Sequence, residues 1–264
     1  MIDTHCHLTY DGLRERVGDV IAAARAAGVD RMISVGTTPD DAERAIAVAE
    51  KHENVYVAAG LHPHYAKPGG DPEGDAMRIA GLLQHPKVVA IGEMGLDWYY
   101  PDPPRDLQRR ALELQLGVAS RLDKPIIIHN RQATDDVLAV LRASGIPGGR
   151  FVFHCFTGSA AELDAILAFG AYVGFTGIVT FKSARELAEA SDRVPLERMF
   201  IETDSPYLTP EPYRKVRPNE PKYVADVARF LADRRGMSAE AFTAAVDANA
   251  ERFFRLPPQA GAAN

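Results

Sequence analysis

The chain begins Met1-Ile2-Asp3-Thr4-His5-Cys6-His7, a stretch typical of a short β-strand with two histidines at its end. In an extended backbone the side chains alternate between faces, so His5 and His7 point the same way and Cys6 points the other. Two imidazoles about 7 Å apart on one strand face can share a metal ion. Because such a pair also occurs by chance among surface histidines, its meaning depends on what other segments bring to it.

Seven further apolar runs predict strands, and segments of helical period separate them. These predicted strands cover residues 32–35, 55–59, 88–92, 125–128, 151–153, 172–175 and 199–201. Predicted helices cover residues 14–27, 39–52, 76–84, 105–122, 134–143 and 239–254. Thr38 is the predicted N-cap of the helix at 39–52, and a predicted loop at 66–75 precedes the helix at 76–84. Two more helices are predicted to begin at Ser159-x-x-Glu162 and Ser183-x-x-Glu186, and another runs through Val224 and Leu231. Continuously apolar strands indicate a parallel sheet covered on both faces.

Eight strand–helix units within 264 residues predict an α/β protein with a single closed (β/α)₈ TIM barrel. A doubly wound open sheet is the alternative, but it would normally carry a Gly-x-Gly-x-x-Gly turn after its first strand, which this sequence lacks. We expect one domain over residues 1–256 and a flexible Pro/Ala/Gly-rich tail at 257–264.

The composition, 46% hydrophobic and 25% charged, is that of a globular protein. No apolar run reaches the roughly 18 residues that span a bilayer, and no signal peptide is visible. Only two cysteines are present, which favours a reducing, cytoplasmic location, and a monomer is favoured. The net charge of −6 argues against an overall basic surface for duplex DNA, so a nucleic-acid substrate would need a local basic patch.

Six of the eight histidines fall at predicted strand ends, the face where barrel active sites form; His52 and His85 do not. With His62 and His64 set aside, six side chains of metal-binding type converge on this rim: His5, His7, Glu93, His129, His154 and Asp204. This set exceeds the three or four protein ligands of one metal and suits two divalent ions. Imidazole and carboxylate donors fit zinc, manganese or magnesium, and the histidines favour the first two.

Several longer motifs resemble the TatD family of metal-dependent hydrolases, within the amidohydrolase-like barrel superfamily. They run in the family's order from residue 2 to about residue 255. The matching motifs are Asp3-Thr4-His5-Cys6-His7-Leu8, Gly60-Leu61-His62-Pro63-His64, Gly92-Glu93-Met94-Gly95-Leu96-Asp97-Trp98-Tyr99-Tyr100, Pro125-Ile126-Ile127-Ile128-His129-Asn130-Arg131-Gln132-Ala133, His154-Cys155-Phe156-Thr157-Gly158-Ser159, Gly177-Ile178-Val179-Thr180-Phe181-Lys182 and Glu202-Thr203-Asp204-Ser205-Pro206-Tyr207-Leu208.

The resemblance implies a role for each ligand-type residue. His5, His7 and Asp204 would hold one ion, His129 and His154 the second, and Glu93 would bridge them. Many relatives in the superfamily place a carboxylated lysine after strand four, where this chain has Glu93, which favours the TatD branch over dihydroorotase-like or phosphotriesterase-like proteins. TatD proteins are described as DNases with 3′-end exonuclease and repair-type activities.

Phosphodiester cleavage in DNA, from an end or in single strands, is therefore the expected function. Two ions can clamp a phosphate and lower the pKa of a bound water. We expect Asp204 and Glu93 to be catalytic, with Asp204 taking the proton of the attacking water. His62, His64 and Arg131 are expected to bind the substrate phosphate, although His62 and His64 would equally fix the loop beside Pro63.

Other rim residues have two interpretations. Lys182 and the cluster Arg214-Lys215-x-Arg217 either add charge at the cleft mouth or are solvated, and Val216 and Pro218 depart from the family pattern there. The segment 98–100 either stacks on bases or packs its loop. Cys6 and Cys155 are both predicted to be buried and turned away from the metals.

Two further functional classes remain as alternatives. A small-molecule hydrolase of the same barrel would cleave an amide, a lactone or a phosphoester. A non-catalytic metal-binding scaffold is disfavoured, because every ligand needed for an open catalytic site is present.

Overall fold

The computed structural model describes residues 1–257, in which eight parallel strands form one sheet ordered β1 to β8. The strands are β1 (Ile2–Cys6), β2 (Arg31–Gly36), β3 (Val55–Ala59), β4 (Val88–Asp97), β5 (Ile126–Arg131), β6 (Phe151–Phe153), β7 (Tyr172–Phe175) and β8 (Met199–Ile201). The ring closes just after β8, where the His7 N–H donates to the Ser205 carbonyl at 2.8 Å and the Asp204 N–H to the His5 carbonyl at 2.9 Å. The predicted (β/α)₈ barrel is confirmed.

Helices cover the outside of this barrel. They are α1 (Val17–Ala26), α2 (Pro39–Ala49), α3 (Pro72–Leu82), α4 (Arg105–Ala119), α5 (Thr134–Ala143), α6 (Ala160–Phe169), α7 (Arg185–Ser191), α8 (Val224–Arg234) and α9 (Ala239–Phe254). No helix within residues 1–257 is both long and apolar enough to cross a membrane. The predicted tail lies outside the described residues except for Pro257, whose carbonyl accepts a hydrogen bond from Arg31.

Alternation along the strands divides the apolar residues between two cores. In β5, Ile126 and Ile128 pack outward against the helices, whereas Ile127 packs inward. The inner cluster also contains Phe200 of β8 and is joined by Phe253 of α9, whose ring centroid lies 5.2 Å from that of Phe200. Because α9 adds its aromatic side chains to this cluster, the interior is filled with apolar groups and the polar side chains collect at the strand ends.

Two strands run further than predicted. β4 continues from the predicted end at Gly92 to Asp97, and β5 continues to Arg131, so Glu93 and His129 lie within strands rather than after them. Glycines in this segment suggest that the strand ends there, but Gly95 lies inside β4 and allows a close approach between two strands. A Cβ at Gly95 would lie 1.8 Å from the His129 carbonyl oxygen, so only glycine permits this approach of β4 to β5.

The hydrogen bonds at the helix starts confirm some of the predicted helix starts and contradict others. The Thr38 side chain accepts from the Asp41 N–H, and Ser159 forms the predicted capping box with Glu162. The helix predicted to open at Ser183-x-x-Glu186 is present, but α7 begins at Arg185 without a side-chain cap, so the predicted start at Ser183 is wrong. The loop predicted over residues 66–75 is shorter, because Asp71 caps α3 and Pro72 is its first residue.

The Ser159 cap predicts a measurable stability difference. We expect Ser159→Ala to lower the free energy of unfolding by about 1 kcal/mol, because the Ser159 hydroxyl loses the hydrogen bond that it accepts from the Glu162 N–H and the one that it donates to the Glu162 carboxylate. The control is Ser183→Ala, an exposed serine that caps no helix, which should change stability by less than about 0.5 kcal/mol. Urea unfolding of both variants makes the comparison, and equal losses would contradict it.

Candidate active site

Glu93 lies at the centre of a cluster of histidines at the carboxyl ends of the strands. Its Oε1 atom is 2.6 Å from His129 Nδ1 and 2.7 Å from His154 Nε2. Its Oε2 atom is 3.4 Å from His5 Nε2. Burial alone would raise the pKa of Glu93, but the surrounding histidines outweigh burial and hold the pKa well below its usual range. The carboxylate is therefore charged and faces two groups of imidazoles, His129 with His154 at Oε1 and His5 with its neighbour His7 at Oε2.

Asp204 completes the group on the His5 side. Its Oδ1 atom is 3.3 Å from His7 Nε2 and 3.7 Å from His5 Nε2. The residue has φ +51°, a left-handed conformation that aspartate adopts more readily than most residues. The Asp204 side chain is 15% exposed and that of Glu93 only 3%, so Asp204 is the more accessible carboxylate of the two.

The histidines are prepared for metal binding by burial and by their other contacts. Both ring nitrogens of His5 are buried without a hydrogen-bond partner in the described part of the chain, a costly state that a cation bound at Nε2 would relieve for that nitrogen. Burial also lowers the pKa of His5, which leaves its ring neutral, the form that binds metals. His7 donates from Nδ1 to the Val35 carbonyl at 3.0 Å, which leaves Nε2 free toward Asp204. This donor set fits a divalent metal.

His62 and His64 lie beside this cluster. The backbone N–H of His64 donates to His62 Nδ1 at 3.1 Å, so a neutral His62 carries its proton on Nε2. That Nε2 atom is 3.2 Å from His129 Nδ1 and 3.4 Å from Glu93 Oε1. Burial lowers the pKa of His62 to about 4, so its ring is neutral at pH 7. The structure thus brings both histidines to the site, and their contact with substrate stays a prediction.

Two buried carboxylates at the site, Asp97 and Glu202, are not among the site residues predicted from the sequence. Asp97 Oδ2 lies 2.8 Å from His64 Nε2 and 3.1 Å from His129 Nε2. Glu202 Oε1 accepts from the Cys155 N–H at 2.5 Å and lies 3.5 Å from His154 Nδ1. Both positions had a signal: Asp97 is four residues after Glu93 on the same strand, and Glu202 is two before Asp204.

A cleft with a volume of about 1390 Å³ opens above the cluster, and His62, His64 and Arg131 all line it. The Arg131 guanidinium lies 3.9 Å from the Tyr99 ring centroid and 5.2 Å from that of Tyr100, which fixes its position at the rim. Tyr100 itself lines the cleft. The stacking of Tyr99 and Tyr100 on Arg131 therefore shows a packing contact at this wall, while base stacking stays a prediction.

The other basic residues considered from the sequence are not part of this lining within residues 1–257. Arg214 stacks over the Phe181 ring at 4.0 Å, and Arg217 donates to the carbonyls of Arg214 and Val216. Trp98 donates to Asp136 at 2.8 Å, and Arg105 covers its ring. These contacts favour a packing role.

The two cysteines differ from one another. Cys6 is fully buried and donates to the Ile33 carbonyl, as expected for a side chain turned away from the site. The prediction for Cys155 is wrong, because this residue is only half-buried and lines the cleft. β6 ends at Phe153 and Cys155 has φ +46°, so strand alternation no longer applies. Burial raises the pKa of the Cys155 thiol well above its usual value, which makes it a poor nucleophile.

Comparison with known proteins identifies the family. A family model described as "TatD related DNase" matches residues 2–255. The chain belongs to the TatD family. The TatD resemblance predicted from the motifs is confirmed, and the protein is a member of a metal-dependent hydrolase family.

Relatives and solved structures agree with this assignment to TatD. The chain is 39% identical to the "Uncharacterized metal-dependent hydrolase YabD" of Bacillus subtilis, covering 97% of this chain and 99% of YabD. It is 36% identical to the "3'-5' ssDNA/RNA exonuclease TatD" of Edwardsiella piscicida, covering 97% of this chain and 100% of the relative. The crystal structure of the TatD homologue YjjV from Escherichia coli has a TM-score of 0.90 and 29% identity, covering 97% of this chain and 98% of YjjV.

Proposed function

We propose that this TatD-family hydrolase is a deoxyribonuclease that uses two divalent ions to cleave phosphodiester bonds, at a 3′ end or in single strands. The observation that carries the proposal is the position of Glu93, whose Oε1 faces His129 and His154 and whose Oε2 faces His5, beside His7. A relative named as a 3′–5′ exonuclease of single-stranded DNA and RNA supports a nucleic-acid substrate.

Five side chains would hold the ions together with the shared Glu93. His5, His7 and Asp204 would bind one ion, and His129 and His154 the other. The donors suit zinc or manganese, and magnesium to a lesser degree. When bound, such ions lower the pKa of water and offset the charge of a phosphate.

The chain's own groups would divide the remaining work. Burial alone would raise the pKa of Asp204, but a hydrogen bond from His7 and nearby histidines outweigh it and keep the pKa below its usual value. Asp204 is thus an ionised, partly accessible carboxylate that can take a proton from the attacking water. His62, His64 and Arg131 would contact the substrate phosphate.

The size of the cleft favours a polymeric substrate over a small molecule. Its volume of about 1390 Å³ exceeds the roughly 300–1000 Å³ of small-ligand sites. A second cavity of about 540 Å³ adjoins it and shares Tyr10, Thr37, Tyr65 and Tyr207. The two neighbouring cavities would give room for nucleotides next to the scissile bond. We further propose a cytoplasmic location, based on the two free cysteines, and a monomeric state.

The test is cleavage of labelled oligonucleotides by protein loaded with Mg²⁺, Mn²⁺ or Zn²⁺. We expect 5′-labelled single strands to shorten progressively from the 3′ end and faster than duplexes. Intact oligonucleotides with all three metals, together with turnover of a lactone or amide panel, would instead favour a small-molecule hydrolase.

Arg131 provides a further prediction about substrate binding. Arg131→Lys should raise KM for oligonucleotides about tenfold with little change in metal content, because lysine cannot form the bidentate phosphate contact. Arg105→Lys is the matched control, since Arg105 also stacks on an aromatic ring, 4.7 Å from the Trp98 centroid, but does not line the cleft. Steady-state kinetics of both variants decide, and an unchanged KM for Arg131→Lys would remove this residue from the substrate site.

A further inference from the structure

The buried carboxylate of Asp97 contacts three different parts of the site. It is the last residue of β4 and is fully buried. Its Oδ1 atom accepts from the backbone N–H groups of Tyr99 at 2.9 Å and Tyr100 at 3.3 Å. Its Oδ2 atom faces His64 Nε2 at 2.8 Å and His129 Nε2 at 3.1 Å. One side chain therefore contacts a metal-type histidine, a cleft histidine and the turn that carries two tyrosines.

The donors around Asp97 fix where His129 carries its proton. Asp97 Oδ1 accepts from two backbone N–H groups, and Oδ2 faces one ring nitrogen of His64 and one of His129, where a carboxylate oxygen accepts a hydrogen bond. His129 must then donate from Nε2. Nδ1 faces the Glu93 carboxylate at 2.6 Å and donates to it until a metal takes the place of that proton, whereas the proton on Nε2 is held by Asp97.

The backbone of Asp97 is held by other groups. Gln108 accepts from the Asp97 N–H at 2.8 Å and donates to its carbonyl at 3.2 Å. Gln108 also donates to the Pro103 carbonyl at 2.8 Å. Because Gln108 anchors this strand end, the position of the main chain does not depend on the Asp97 carboxylate alone.

We propose that Asp97 is a positioning residue, which keeps the His129 proton on Nε2 so that Nδ1 can bind metal, and which also fixes the neighbouring His64 and the Tyr99–Tyr100 turn. This inference rests on the proposed two-metal function and adds a residue to it. A carboxylate behind a metal-binding histidine orients the ring and raises its basicity, and its loss typically weakens metal binding about 10- to 100-fold.

Asp97→Asn separates this role from a structural one. The asparagine oxygen matches the two backbone N–H donors, so its NH₂ group would face His129 and His64. Two donors would then meet at His129 Nε2, and the ring would move its proton to Nδ1. We expect Mn²⁺ affinity, measured by chelator competition, to fall about 10- to 100-fold. We also expect kcat to fall more than KM rises.

Gln108→Met is the matched control, since it removes the anchors of the strand end and leaves the carboxylate in place. It should change Mn²⁺ affinity less than about threefold, even where it lowers stability. Equal losses of metal affinity in the two variants would make the role of Asp97 structural and overturn the inference.

The second readout is the imidazole N–H signal of His129 in ¹H–¹⁵N spectra of apo and zinc-loaded protein, assigned by its absence in His129→Gln. The wild type should show a protected Nε2–H that Asp97→Asn lacks. A wild-type His129 without a proton on Nε2 would overturn the inference even if the variant failed to fold. If the signal and the affinity change appear as expected but no nucleic acid is cleaved, the proposed substrate fails and the role of Asp97 stands.

Discussion

Asp204→Asn is expected to lower kcat for oligonucleotide cleavage by about 10²- to 10⁴-fold, the range associated with loss of a general base. The substitution keeps the shape of the side chain and an oxygen near His7 Nε2, where Asp204 Oδ1 lies at 3.3 Å. It removes the negative charge, so the side chain can no longer accept a proton from water. KM should change little, because substrate contacts of His62, His64 and Arg131 are untouched.

Metal content must be measured beside the kinetics, since Asp204 is also a proposed ligand. We expect the variant to retain the second ion and to bind the first more weakly, as shown by elemental analysis and titration. Asp19→Asn is the control, an exposed carboxylate on α1, and should behave like the wild type. If Asp204→Asn kept both its metal content and kcat near wild-type values, the proposed role would be wrong.

The barrel and its ligand positions were predictable because both depend on local patterns. Each strand is a short apolar run, and its last residues are read directly from the sequence, as with Phe151–Phe153 followed by His154. Parallel strands in a barrel bring such ends to one rim. Side chains as far apart as His5 and Asp204 are therefore expected to meet, and the structure places them 3.7 Å apart.

The errors arose where tertiary contacts override local patterns. β4 continues past Gly92 because β5 pairs with it as far as Arg131, and no local feature shows this pairing. Asp97 was therefore taken to follow the strand rather than end it. Cys155 was misplaced for the opposite reason, because the chain leaves the extended conformation after β6. Ser183 matched a capping motif, but α7 begins two residues later.

The buried charges of the site explain why Asp97 and Glu202, which were not predicted from the sequence, matter for its geometry. Glu93 and His154 are buried together, and although burial alone would lower the pKa of His154, the Glu93 charge raises it well above its usual value. Buried charges need partners to hold their geometry. Asp97 and Glu202 provide them behind His129 and His154. A ligand set read from the sequence is thus only part of the site, since the groups that orient the ligands lie one layer further out.

Glu93→Gln should have the largest effect on the site, because Glu93 is the single side chain close to both groups of imidazoles. Glutamine has one oxygen and one NH₂ group. If the oxygen faces His5, the NH₂ group faces His129 and His154 and donates where a metal ligand must accept. We expect affinity for at least one ion to fall by more than about 100-fold, and cleavage to fall below detection.

Glu202→Gln is the control that makes the Glu93 result specific, since Glu202 is an equally buried carboxylate of the same site. It contacts His154 Nδ1 at 3.5 Å, the nitrogen that does not face Glu93. Its loss should weaken metal binding about 10-fold and leave measurable cleavage, because all six proposed ligands remain. Titration calorimetry with Mn²⁺ would compare the two. Two ions bound normally by Glu93→Gln would exclude a bridging carboxylate, since its remaining oxygen cannot serve both groups of imidazoles.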